Sequence, residues 1–172
     1  MAEVRSVGLK SIRIGEIAND GDMGTVLEAL GVTYKGTASL TTEEGTTTDF
    51  FSEENVYPEE SVKEPGTTKL AWNIINLDPE ALQKCLGGDV VAADGDNPAV
   101  WKAPADVVNI EKSIEVLTAF GMKIQIPRAN ISATMQWNLA RTEIAQVAIV
   151  ATVLKPAKEG VAPYSVSKVA VV

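Results

Sequence analysis

The chain contains no histidine. That removes the commonest general base near neutral pH and the commonest transition-metal ligand, and it excludes Ser-His and Cys-His nucleophile pairs. Cys85 is the only cysteine. No intrachain disulfide is possible, a reducing compartment fits, and a zinc site would need several carboxylates. Long apolar runs are missing too. The most apolar stretch, AQVAIVATVL, is ten residues long and contains Gln146 and Thr152, which is too short to cross a bilayer. The opening MAEVRSVGLKSIRIGEIAND has no apolar core of signal-peptide type, so the expectation is a protein made and folded in the cytoplasm. Basic residues are outnumbered 15 to 23, for a formal net charge of −8. A groove-reading DNA-binding domain needs a basic face, and this balance argues against one. It leaves room for a protein that nucleic acid must pass without sticking.

What is present is enough apolar residue, 45% of 172, to bury the core of one ordinary domain. VGLKSIRIG (7–15) reads as a strand. Val7 and Leu9 share one parity and Ile12 and Ile14 the other, which predicts a bulge near Lys10–Ser11. NDGDMG (19–24) is a turn-forming loop, and GTVLEALG (24–31) fits either a short helix or an extended piece. VTYKGTASLTT alternates, with Val32, Tyr34, Ala38 and Leu40 in phase. The acidic turn EEG (43–45) and TTTDFF follow, and the pair reads as a hairpin with a polar, acidic tip. SEENVYPEESVKEPG carries Pro58 and Pro65 and is expected to be a loop.

KLAWNIINL reads as a strand that runs into a short helix at 78–86. Asp78 offers a carboxylate to the first turn, and Pro79 suits the first helical position. Leu82, Cys85 and Leu86 make one apolar face, and Gly87 ends the helix in the left-handed region. Two and a half turns are marginal alone, so the helix must dock on a sheet. A short strand is expected around Val100–Trp101, and SIEVLTAFG with MKIQIP (113–127) fits two strands or one strand bent at Gly121. NISATMQWNL sets Ile131, Ala133, Met135, Trp137 and Leu139 on one face. TEIAQVAIVATVLKP is the central strand, with Ala145, Val147, Ile149, Ala151 and Val153 toward the core. A flexible N-terminal segment (about 1–10) and a C-terminal arm (157–172) with no evident place in the sheet complete a single domain, 1–172. The fold class is mainly β: a β-sandwich or open barrel of about seven mostly antiparallel strands with one short helix.

Candidate chemistry is sparse. Asp94 and Asp96 in DGDNP lack the further ligands and glycine spacing of a calcium loop, and read as a solvated turn. The pairs Glu43/Glu44, Glu53/Glu54 and Glu59/Glu60 lie in or beside polar loops, where carboxylates are hydrated rather than catalytic. Gly87–Gly88 lacks the lysine of a phosphate-binding loop. Cys85 reads as buried filler, and Trp72, Trp101 and Trp137 as core or interface anchors. No catalytic, cofactor or metal residue is assigned, and the protein is not expected to be an enzyme.

From Ile12 to Pro156 the order of features resembles the tail tube proteins of long-tailed bacteriophages. The resemblance rests on four stretches: IRIGEIANDGDMG, GTASLTTEEGTTTDFFSEE, GTTKLAWNIINLDPEALQKCLGG and IPRANISATMQWNL…AQVAIVATVLKP. The 87–111 stretch and the C-terminal arm depart from it. The resemblance implies a helix set against one end of a small sandwich, and a virion structural protein, phage or prophage in origin. Such subunits self-assemble into stacked hexameric rings that carry DNA without binding it specifically, with no membrane and no cofactor. They are made in the host cytoplasm and end in the virion tail, beside other tail proteins. Thr42, Glu43, Glu44, Thr46, Thr47, Asp49 and Phe51, in the hairpin around Thr41–Phe51, are the subunit-interface candidates, and the N-terminal segment is a second contact. Carboxylates lining the bore would repel phosphates. The alternatives are a small-ligand-binding β-barrel with a pocket lined by the tryptophans, and the inner tube of a contractile secretion or bacteriocin apparatus.

Overall fold

A computed structural model describes residues 5–169. The apolar periodicities build one antiparallel sheet, folded over on itself and not closed. Its strands are β1 (Leu9–Gly15), β2 (Glu28–Ala29), β3 (Ser39–Thr42), β6 (Thr68–Ile74), β9 (Ile110–Thr118), β10 (Met122–Gln136), β11 (Gln146–Val153) and β12 (Ser165–Lys168). The order is β2-β1-β9-β10-β11-β6-β3, with β12 beside β10. Two satellite ribbons stand apart from it: β4 (Thr46–Phe50) with β5 (Glu60–Glu64), and β7 (Asp89–Val91) with β8 (Val100–Lys102). Among the described residues the fold is mainly β with a single helix, as expected. The strands beyond the expected seven are either very short or, like β5, exposed throughout.

The core comes from the inward parity of the long strands. Ile12 and Ile14, Ile114 and Val116, Leu70, Trp72 and Ile74, and Val147, Ile149 and Ala151 are all buried. The bulge expected in β1 lies between Leu9 and Ser11. The β9–β10 region is two strands joined through Gly121. β10 then continues through Pro127, where its register against β9 shifts between Ile126 and Ala129. A proline without an N–H sits well at such a bulge.

The helix, α1 (Pro79–Leu86), buries Ala81, Leu82 and Cys85 and packs on β10 and the β7–β8 ribbon. Gly87, at φ 76°, ends it and donates to the Gln83 carbonyl at 3.0 Å. One detail differs from expectation. Asp78 occupies the N-cap, but its carboxylate makes no capping bond. Its backbone carbonyl takes the bond from Leu82 N–H at 3.0 Å, while Glu80 and Lys84 match the helix dipole at the two ends.

Of the two readings open for GTVLEALG, the extended one holds, and the stretch contains β2. Several other expectations are corrected. The 32–42 strand is broken. Thr33 bridges Ile74, and Ser39 pairs with Ala71, so the chain follows β6 at both ends but bulges out around Gly36. Val32 and Tyr34 are therefore exposed. EEG is not the tip of a hairpin joining β3 and β4: β3 pairs with β6, and β4 pairs with β5. The two pairings make one long ribbon, kinked at residues 43–45 and 65–67, whose tip is residues 51–59. The 52–66 stretch thus holds a strand, because Pro58 and Pro65 flank β5 rather than interrupt it. The face begun by Ile131 and Ala133 runs out of the sheet, leaving Met135 and Trp137 half-exposed and Leu139 in solvent. The C-terminal arm gains a place, since β12 pairs with β10 beyond the end of β11. At the other end Leu9 and Lys10 already belong to β1. Residues 1–4 and 170–172 of the two terminal segments lie outside the described residues.

Candidate assembly surface

The kinked ribbon starts where β3 and β6 leave the core. Thr42 and Thr68 share a hydroxyl–hydroxyl bond of 3.0 Å, and Glu43 N–H donates to the Thr67 carbonyl at 2.9 Å. Lys69 Nζ reaches Glu43 Oε1 at 2.6 Å. The two arms cross closely here. A Cβ on Gly66 would lie 1.9 Å from the Glu43 carbonyl oxygen, and one on Gly45 2.1 Å from that of Glu64. Only glycine permits this approach.

Beyond the kink all ten residues of β4 and β5 are exposed. At the tip Glu59 organises the turn, accepting from Ser52 Oγ at 3.0 Å and Asn55 Nδ2 at 3.3 Å while its N–H donates to the Phe50 carbonyl. Phe51 is 62% exposed, Tyr57 77% and Val56 88%. Residues 43–64 hold eight carboxylates and one lysine, a formal −7 of the chain's −8. Apart from Glu43 with Lys69, none of these carboxylates joins an ion pair among the described residues. The ribbon therefore gathers solvated negative charge and exposed aromatic surface with no core of its own beneath it.

All seven interface candidates lie on the first arm. Thr42 is at the base, Glu43 and Glu44 are at the kink, Thr46, Thr47 and Asp49 lie in β4, and Phe51 opens the tip. The second arm was missed. β4 pairs in register with β5, Thr48 opposite Val62 and Phe50 opposite Glu60. The sequence carries no burial rhythm for it, since all five residues of β5 are exposed.

Elsewhere, charged groups tie loops to the body. Lys158 Nζ donates to Asp20 and Asp22, each at 2.8 Å; these bonds hold both carboxyls below the usual carboxylate range and raise the lysine. Arg128 grips Glu111 with two nitrogens, at 2.7 and 3.0 Å, which lowers that carboxyl. Lys84 bonded to Glu28 lowers the latter, and Lys112 pairs with Glu16.

An open groove of about 1050 Å³ lies between the two ends of the folded sheet, lined by Leu9, Ile12, Leu40, Leu70, Val116 and Ile124 among others. It contains no tryptophan. Trp72 is buried in the core, Trp101 Nε1 donates to the Gly87 carbonyl at 2.8 Å, and Trp137 is on the surface. A smaller cavity of about 460 Å³ is flanked by the Glu28–Lys84 and Glu16–Lys112 pairs. Among the described residues no three His, Cys, Asp or Glu side chains converge to hold a metal ion. The three carboxylate pairs of the sequence are spread along the ribbon. Asp94 and Asn97 close the β7–β8 turn through reciprocal backbone bonds. Cys85 is buried, and burial pushes its thiol up to about 11. No described helix is long and apolar enough to cross a membrane. No protein-family model matches the chain, and no curated protein matches it either.

Proposed function

We propose that the chain is a structural subunit, not an enzyme, which assembles with copies of itself into stacked rings: the tube of a phage tail. One observation carries this reading. A two-stranded ribbon, exposed on every residue, holds nearly all the net charge and displays Phe50, Phe51, Tyr57 and Val62 to solvent. A monomer gains nothing from such an element, whereas a neighbouring copy receives it. The unpaired margins of the sheet support the same reading, since a head-to-tail contact that closes by rotation gives a ring.

The place of the negative charge refines the conduit. With −7 on the ribbon, the rest of the chain has a formal −1. A wall built from that remainder offers phosphates no basic excess to adsorb on. Hexameric rings, passage of DNA, contact with other tail proteins and a final place in the virion belong to this proposal. The inner tube of a contractile secretion or bacteriocin apparatus is the same architecture in another setting.

Negative-stain microscopy and sedimentation over rising protein concentration test it. Rings of six subunits and stacked tubes are expected. A protein that stays monomeric at high concentration and takes up an apolar probe in the 1050 Å³ groove would overturn the reading in favour of a ligand-binding barrel.

A further inference from the structure

We infer that strand β5 of one copy adds antiparallel to the open edge of β12 in the next copy. This rests on the assembly reading above and names the acceptor that the ribbon requires.

β12 pairs with β10 on one side, and among the described residues no strand lies on its other side. All four of its residues are exposed. Val169 N–H donates to the Gly121 carbonyl at 2.7 Å. Because bonded and non-bonded pairs alternate in an antiparallel ladder, Ser167 and Ser165 also face β10. The N–H and C=O of Val166 and Lys168 therefore aim at the open side, as a template for another strand.

The chemistry around that edge complements the ribbon. Lys168 belongs to β12 itself, Lys123 lies opposite Ser167 on β10, and Lys10 lies on β1 beyond β9; none of the three joins an ion pair among the described residues. The segments 5–15, 116–125 and 162–169 contain no carboxylate; Glu115, just before the second of them, lies opposite Gln125 and accepts from its side chain at 3.3 Å. Phe120, 60% exposed, and Val166, 50% exposed, add apolar surface. The corner is thus basic and apolar where the ribbon is acidic and apolar.

Register sharpens the match. Setting Val62 opposite Val166 places Glu60 opposite Lys168, Ser61 opposite Ser167, Lys63 opposite Ser165 and Glu64 opposite Tyr164. One apolar pair and one opposite-charge pair form, and no like charges face each other. Main-chain bonds then supply affinity and the side chains supply register, as in strand addition generally. The contact is head-to-tail, so it propagates from copy to copy.

Charge reversal tests the docking. One full-length variant carries Lys10→Glu, Lys123→Glu and Lys168→Glu; the other carries Glu60→Lys and Glu64→Lys. Lys10, Lys168, Glu60 and Glu64 are exposed and Lys123 is half-buried. Each variant alone should associate at least ~10-fold more weakly than the unmodified protein, and mixing the two should restore association because both cross-contacts regain opposite charge. Separately, Val62→Cys and Val166→Cys copies, mixed with a short thiol cross-linker, should give a heterodimer, while buried Cys85 stays unmodified.

If the corner variant alone assembles like the unmodified protein, or the mixture stays dispersed, the docking is wrong, and rings of unmodified protein would leave the assembly reading standing. A Val62–Val166 cross-link between copies in a protein that never forms rings would uphold the docking and remove the tube. No cross-link and no rings would remove both.

Discussion

Ser113 donates from Oγ to the Pro127 carbonyl at 2.6 Å, bridging β9 to the bulge of β10. The same oxygen accepts from Gly24 N–H at 2.9 Å, and the side chain is wholly buried. One hydroxyl therefore fastens the strand irregularity and the 19–24 loop together. Replacing Ser113 by Ala leaves a buried carbonyl and a buried N–H without partners, which costs about 1–3 kcal/mol. Urea unfolding of Ser113→Ala should show that loss in the midpoint with little change in slope. An unchanged midpoint would mean that water replaces the hydroxyl.

The kink of the ribbon depends on close passage of backbone over backbone. Gly66→Ala drives a methyl group into the Glu43 carbonyl, so the arms must part at residues 43–45. The main sheet, held by its own core, should keep its circular dichroism. Cleavage by a Glu-specific protease between Glu43 and Glu64 should rise by roughly 10-fold as the ribbon opens locally, and assembly should weaken. Equal cleavage rates in the two proteins would count against the crossing as a constraint.

Lys158 links the 19–24 loop to the C-terminal arm through Asp20 and Asp22. The carboxyls are held below their ordinary 3.8 by their bonds to the lysine, so their contribution is present above that pH and is lost as pH falls through the lower folded value. The lysine is raised above its ordinary 10.5, so its share persists until strongly alkaline pH. Lys158→Met should therefore be less stable than the unmodified protein near pH 6, and the difference should shrink and vanish as acid protonates both carboxyls. A difference that persists in acid would assign the effect to packing rather than charge.

The parts of the fold legible in the sequence were those whose side chains alternate between core and solvent. β6, β11 and the bulge in β1 stand out because Leu70, Trp72 and Ile74, Val147 and Ile149, and Ile12 and Ile14 each keep a parity that burial rewards. The helix was legible through Asp78, Pro79 and Gly87, although the Asp78 carboxylate makes no capping bond. The ribbon was only half legible. Its first arm reads as a polar strand, but its pairing is non-local, and every residue of β5 is exposed, so burial leaves no rhythm to read. Trp137 and Leu139 misled for the opposite reason: their phase continues that of Ile131 after the sheet itself has ended at Gln136. β12 was missed because four residues of alternating Ser and Val or Lys are too few to outweigh the turn-forming stretch before them.

Pro58 and Pro65 stand just outside the two limits of β5. Neither offers an amide hydrogen, so a chain laid alongside finds a vocabulary of six residues, 59–64, and then silence at both ends. Hydrogen bonding cannot creep outward into the long, self-templating stacks that make exposed strands a hazard. Whatever this ribbon joins, it joins as a clasp of fixed gauge, one link at a time.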